Sequence, residues 1–322
     1  MDVVLLGIPI GIVMLYFGSE WLVKGAKSLA LKLRVAPFVV GLTVVAFGSS
    51  APEMVTSIVS SNNPSIILGN VIGSNIANIG IAIGLAALIC PMVAKYDSMR
   101  IEIMTMVVMS FVMLLMMVID GVTLVEGIVL FVILFSFIFM VYRMKKGDEE
   151  GQKSYVAELD EGEVRNKWNS YPVLIVLIII GLALLYFGAR FFIEGSVRLA
   201  IMFDVSEFVI GLLVVALGTS LPEICICLVA AKRGENELAV SNIVGSNIFN
   251  ICAVLGIGAV LTTIPYTDAV MYFHMPVMIF LSVLMFLIVK RKNMISRRSA
   301  MLLLGVYVAY VAVLFLVPSL SM

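Results

Sequence analysis

Residues 48–57 read GSSAPEMVTS, in the middle of an apolar run that begins near position 36 and ends near 61. Residues 218–227, GTSLPEICIC, put the same pattern inside a second run, near 206–231. Glycine, proline, adjacent hydroxyls and a glutamate are each poor choices for an apolar helix. Their occurrence together, twice, decides how the rest of the chain is read.

The setting is a membrane. The 322 residues are 62% hydrophobic and only 13% charged, with a mean hydropathy of +1.14, far outside the range of a water-soluble domain. Twenty-one basic and 21 acidic residues cancel, so no basic excess points to nucleic acid. Cys90, Cys225, Cys227 and Cys252 lie in apolar context and read as small buried hydrophobes, not a disulfide framework. The first residues, MDVVLLGIPIGI, lack a basic leader and a small-residue cleavage site and read as a first span.

A span needs roughly 20 apolar residues. Ten candidates lie near 3–23, 36–61, 64–90, 101–119, 122–142, 171–192, 206–231, 238–263, 269–289 and 300–318. One sizeable polar segment, 145–169, separates five spans from five. This predicts an all-α polytopic protein with a first five-helix unit over 1–144, a linker over 145–169 and a second unit over 170–322.

The two units are copies. Tyr16–Glu53 aligns without a gap on Tyr186–Glu223, with 18 of 38 positions identical at an offset of 170. GNVIGSNIANIG from Gly69 then matches SNIVGSNIFNIC from Ser241 at an offset of 172. An odd number of spans per copy makes the second enter from the opposite side, an inverted-topology repeat as in many secondary transporters. The charges agree. With both termini outside, 19 of the 21 Lys and Arg fall in inner loops and only Arg190 and Arg198 in outer ones, as the positive-inside rule demands. Lys24 and Lys27 are read as such orientation signals.

The breaks then acquire a purpose. An interior proline removes a hydrogen bond, so Pro52 is expected to free the carbonyl of Gly48 and Pro222 that of Gly218. Freed carbonyls in lipid need a partner. Glu53 and Glu223 fall near mid-span, where a charge costs several kcal/mol on insertion scales of about 2.5–3.5 and usually faces a partner or wet cavity. No Lys or Arg shares that depth, so a bound cation is the simplest partner. GSNIAN and GSNIFN add Ser74 with Asn78, and Ser246 with Asn250, at i and i+4 on one helical face. Asn75 and Asn247, like Asn70 and Asn242, are expected to serve helix packing. The assembled donors are all oxygen, the set that Ca²⁺ and Na⁺ prefer over thiolate- or imidazole-seeking metals. An enzyme is not expected. Ser49 and Ser50 superficially offer a nucleophile, but the single histidine, His274, lies near the end of a span and leaves no base. A channel is disfavoured because a site buried between inverted repeats suits alternating access.

The paired G-[ST]-S-x-P-E segments, Gly48–Glu53 and Gly218–Glu223, with the G-S-N-I-x-N segments, resemble the two alpha-repeats of the sodium/calcium exchangers. The resemblance spans essentially the whole chain and is that of a minimal prokaryotic member without the long regulatory region of animal exchangers. It implies a Na⁺/Ca²⁺ antiporter with one central cluster of cation sites. Glu53 and Glu223 would be the main Ca²⁺ ligands, helped by the carbonyls of Ser49 and Thr219. Ser50, Ser74, Ser220 and Ser246, with the carbonyls of Ala46 and Ala216, would serve Na⁺, and Asn78 would line the centre. The first helices of each half, near Tyr16 and Tyr186, would form a sliding gate. Asn250 departs from the family's usual aspartate, which bears on ion stoichiometry. The alternative is a proton-coupled or potassium-dependent exchanger. No cofactor is expected beyond the transported Ca²⁺ and Na⁺. The chain is expected as a monomer in the lipid bilayer of the plasma membrane, with no nucleic-acid partner.

Overall fold

The computed structural model describes residues 3–33, 35, 37–145, 170–203, 216–317 and 320. The linker and the first part of the expected seventh span, 206–215, lie outside the described residues. Within them the chain is helical almost throughout, as it must be where no water is available to satisfy backbone groups. The helices are α1 (Gly7–Leu33), α2 (Pro37–Val40), α3 (Ala46–Ser49), α4 (Ala51–Val59), α5 (Pro64–Ala77), α6 (Gly84–Ile89), α7 (Tyr96–Asp120), α8 (Leu124–Lys145), α9 (Tyr171–Met202), α10 (Ala216–Thr219), α11 (Leu221–Lys232), α12 (Asn236–Phe249), α13 (Leu255–Leu261), α14 (Met275–Lys292) and α15 (Arg297–Leu316). Wider π-helical turns join several of them, at Gly41–Val45, Asn78–Ile83, Asn250–Val254 and Val270–His274. Eight stretches among the described residues are long and apolar enough to span a bilayer, nine if the bent pair Gly41–Ser49 and Ala51–Val59 counts as one. Exposed Val132, Phe135 and Phe139 on α8 give it the outer face of a helix meant for lipid.

The chain forms two compact units, one from residues 1–49 and 136–242, the other from 50–135 and 243–322. Each therefore draws on both copies of the repeat.

In the first unit α1 and α9 run antiparallel in close contact. A Cβ placed on Gly11 would lie 2.6 Å from the Gly188 carbonyl oxygen, and one on Gly18 2.9 Å from that of Gly181. Gly181 and Gly188 meet the reciprocal limits, 2.9 Å from Gly18 O and 3.0 Å from Gly11 O. Such spacing requires glycine on both helices, the small-residue contact that lets membrane helices touch backbone to backbone. Gly11 and Gly181, like Gly18 and Gly188, are repeat equivalents at the offset of 170. At one end Lys27 Nζ lies 2.7 Å from Glu235 Oε1, and Glu20 is paired with Arg233. Lys27 is thus more than the orientation signal read from the sequence.

The second unit repeats this reciprocity at the offset of 172. Ser110 Oγ and Ser282 Oγ lie 3.4 Å apart, each also donating to a carbonyl one turn back, Met106 at 3.0 Å and Met278 at 2.9 Å. Short extended pairings close the unit at its loops. β1 (Met92–Val93) pairs antiparallel with β2 (Met294–Ile295), and Val122 exchanges both backbone hydrogen bonds with Ile264, at 3.0 and 2.9 Å. Fully buried Ile67, Ile72, Ile76, Ile79, Ile83, Met99 and Ile103 fill its core.

Candidate ion-binding site

The proline–acid motifs build two helix starts, not two kinks inside a running helix. Ser50 is the N-cap of α4 and Ser220 that of α11, with φ, ψ of −81°, 5° and −85°, 3°. Pro52 and Pro222 fall in the first turn, where a missing N–H costs nothing. The backbone ladder resumes from the two serines, Met54 N to Ser50 O at 3.1 Å and Ile224 N to Ser220 O at 3.0 Å. The break lies at the serine, and the acid follows in the first turn, at the positive end of the new helix. Glu53 and Glu223 are each 1% exposed.

S-x-x-E is also the spacing of a capping box, in which the serine hydroxyl would bond the backbone N–H at the glutamate. Neither serine does so. Both caps lack a side-chain bond, and Ser50 Oγ and Ser220 Oγ are buried without a hydrogen-bond partner. Motifs that could have been structural are thus built with their hydroxyls left for something else.

In the first unit, Ser49 closes α3, and its hydroxyl donates to Ala46 O at 3.3 Å and to Asn242 Oδ1 at 3.4 Å. Ala216 opens α10 and Thr219 ends it, one residue before Ser220. α11, carrying Glu223, packs against α1, α3, α9 and α10.

In the second unit, α4 with Glu53 packs against α5, α13 and the π turn at Asn250. Asn70 Nδ2 donates to the Glu53 carbonyl at 3.4 Å. Ser74 Oγ is buried without a partner, and Ser246 is fully buried. Asn78 and Asn250 each open a π-helical turn, a local widening frequent at functional positions. Their amide nitrogens are engaged, Asn78 Nδ2 with Asn247 Oδ1 at 3.0 Å and Asn250 Nδ2 with Asn75 Oδ1 at 3.1 Å. Their Oδ1 atoms are buried and unbonded.

The amides of Asn70, Asn75, Asn242 and Asn247 therefore reach motif residues, where the sequence suggested packing alone. Sequence reasoning also passed over Ser57, buried and unbonded at Oγ one turn after Glu53. The i, i+4 spacing from Glu53 was the available signal. All these groups are oxygen donors. No cluster of three or more His, Cys, Asp or Glu suited to a resident metal occurs among the described residues.

Apolar helices that restart at buried acids, in units that also bury unbonded hydroxyl and amide oxygens, are the features of a membrane transporter of hard cations. Comparison with known proteins narrows the class. The chain matches the sodium/calcium exchanger protein family over residues 3–143 and 173–316, and it belongs to that family. It is 34% identical over 305 residues to the uncharacterized membrane protein MJ0091 of Methanocaldococcus jannaschii, covering 94% of this chain and 95% of that one. It is 29% identical over 345 residues to the sodium/calcium exchanger MaX1 of Methanosarcina acetivorans, covering 95% and 97%. A solved structure of the sodium-calcium exchanger NCX_Mj, soaked with 2.5 mM Na⁺ and 0.1 mM Ca²⁺, is similar with a TM-score of 0.82 at 30% identity, over 97% of this chain and 98% of that one.

Proposed function

We propose that the chain is a secondary active antiporter exchanging Na⁺ for Ca²⁺ by alternating access. The observation that carries the reading is the duplicated helix start. Each copy has a buried glutamate in its first turn behind a capping serine whose hydroxyl makes no cap bond. Duplication for packing alone would keep glycines and apolar faces. It gives no reason to keep a buried acid and an unused hydroxyl twice.

In this reading Glu53 and Glu223 supply about two negative charges, which balance one Ca²⁺ or two Na⁺. The carbonyls of Ser49 and Thr219 assist Ca²⁺. Ser50, Ser74, Ser220, Ser246 and the carbonyls of Ala46 and Ala216 serve Na⁺. Asn78 and Asn250 add neutral amide oxygens. A third Na⁺ would rest on such neutral groups and on helix dipoles. Overlapping ligands make the ions competitors, and a charge-compensated loaded state crosses more readily than an empty charged one, which couples the two fluxes. The names of MaX1 and NCX_Mj support the choice of ions.

The ten spans form two inverted repeats in 1–144 and 170–322, with both termini outside the plasma membrane, and the chain works as a monomer. The loop charges support this orientation, and the contacts reciprocal at offsets of 170 and 172 support the repeat. The gate helices near Tyr16 and Tyr186 are α1 and α9, whose glycine-lined contact suits a pair that moves together.

The test is ⁴⁵Ca²⁺ uptake into Na⁺-loaded proteoliposomes diluted into Na⁺-free medium at fixed pH and voltage. Uptake that requires the Na⁺ gradient is expected. Uptake indifferent to Na⁺ and driven by a pH gradient would sink the reading.

A further inference from the structure

Four asparagines of the second unit, Asn75, Asn78, Asn247 and Asn250, form a network whose polarity is dictated by the backbone. Asn75 Nδ2 lies 3.4 Å from the Asn247 carbonyl and 3.6 Å from Met278 Sδ. Neither group can donate, so Asn75 must turn its NH₂ toward them. Its Oδ1 then faces the other way and can only accept. Asn250, at 3.1 Å, must present Nδ2 to it, leaving Asn250 Oδ1 on the far prong. The chain of necessity runs identically in the other copy. Asn247 Nδ2 lies 3.4 Å from the Asn75 carbonyl and 3.6 Å from Met106 Sδ, so its Oδ1 takes Asn78 Nδ2 at 3.0 Å and frees Asn78 Oδ1. All four amides are buried, and the two oxygens the network turns out, Asn78 Oδ1 and Asn250 Oδ1, are the ones without a hydrogen-bond partner.

We infer that Asn75 and Asn247 are positioning residues for ion selection. They hold Asn78 and Asn250 with oxygen, never N–H, toward the ions. An amide free to rotate must be turned and held by the cation itself, because its NH₂ repels the ion, and that ordering weakens binding. Fixed neutral oxygens are thus kept at the two positions, beside the charge that Glu53 and Glu223 supply. The inference rests on the reading of Asn78 and Asn250 as ion ligands.

The experiment is a double-mutant cycle on the full chain in proteoliposomes, with KM for Ca²⁺ and maximal rate measured separately. Asn78→Ala is expected to raise KM by roughly tenfold, the value of one ligand bond. Asn247→Ala is expected to do nearly the same with maximal rate largely kept, and the double variant to add nothing further, since an absent Asn78 needs no positioning. Asn247→Asp keeps an oxygen that accepts from Asn78 Nδ2, so its KM should lie closer to wild type than that of Asn247→Ala. If Asn247→Ala yields no monodisperse protein, the isosteric Asn247→Asp and the mirror pair Asn75→Ala with Asn250→Ala carry the cycle. Additive KM effects, or an aspartate no better than alanine, overturn the positioning role alone. An unchanged KM in both Asn78→Ala and Asn250→Ala overturns this role together with the ligand reading beneath it.

Discussion

Replacing Ser220 by alanine separates two accounts of the same motif. If the hydroxyl capped α11, its loss would cost about 1 kcal/mol of stability, within the roughly 0.5–2 found for N-cap serines. The structure shows no such bond, and Ser220 Oγ is buried with no hydrogen-bond partner. A buried unsatisfied hydroxyl costs about 1–3 kcal/mol, so its removal should leave the Na⁺-free protein equally stable or more so. The loss appears when Na⁺ binds. A hydrogen-bonding group facing a charge contributes about 1.5–3 kcal/mol, or roughly a 10- to 150-fold weakening of Na⁺ binding when it is removed. Stabilisation by ligand grows with the logarithm of ligand over dissociation constant, so the rise of melting temperature with added Na⁺ should shift to correspondingly higher concentrations. Thermal melts in detergent across a Na⁺ series, with the Na⁺ dependence of Ca²⁺ flux in proteoliposomes, read both quantities. Ser50→Ala at the start of α4 should behave alike. A Ser220→Ala protein that melts lower without Na⁺, yet keeps its wild-type Na⁺ dependence, would refute the reasoning and return the motif to capping.

Glu53→Gln and Glu223→Gln should each abolish Ca²⁺ transport while leaving the protein folded, since the amide keeps the volume and removes the charge; normal turnover in either, by ⁴⁵Ca²⁺ flux, counts against shared use of the two acids. Lys27→Met should lower stability by about 1–2 kcal/mol, less than a fully buried pair would lose, because Lys27 is 21% and Glu235 9% exposed; chemical denaturation with a Glu235→Gln cycle measures the coupling. Gly18→Leu should force α1 from α9, where even a Cβ would lie 2.9 Å from a carbonyl oxygen, and a variant that both folds and transports normally would deny that the contact is tight in function. In a cysteine-free background, a single cysteine at position 153 should be labelled only from the cytoplasmic side, as judged with a membrane-impermeant maleimide.

The sequence made the acids and hydroxyls visible because polarity inside an apolar run is a local signal, and repetition doubled it. Glu53 and Glu223 needed no partner to be noticed. It did not reveal where the helix stops. Proline and its neighbours predicted a break, but that the ladder restarts at Ser50 rather than nearer Gly48 depends on backbone geometry beyond residue spacing. Asn75 posed a harder problem. On a helical wheel it turns away from Ser74 and Asn78, and its meaning lies in Asn247 and Asn250, more than 170 residues distant. The π turns at Asn78 and Asn250 leave no mark in the apolar pattern. Lys27 shows the same limit, since its charge reported an orientation while its partner Glu235 is set by packing.

The extended pairings and amide bonds of the second unit join segments far apart in the chain, Met92 with Ile295, Val122 with Ile264 and Asn75 with Asn247. During synthesis the helices up to α8 must therefore wait in the bilayer until α12 to α15 emerge from the ribosome. Separate insertion followed by lateral association permits this order. For that interval the nascent chain carries Glu53, Ser74, Asn75 and Asn78 through the membrane without the companions it will later have. Quality control acting on newly made chains would meet its most polar intermediate there, and a chain cut short after α8 would be an exposed, degradable half.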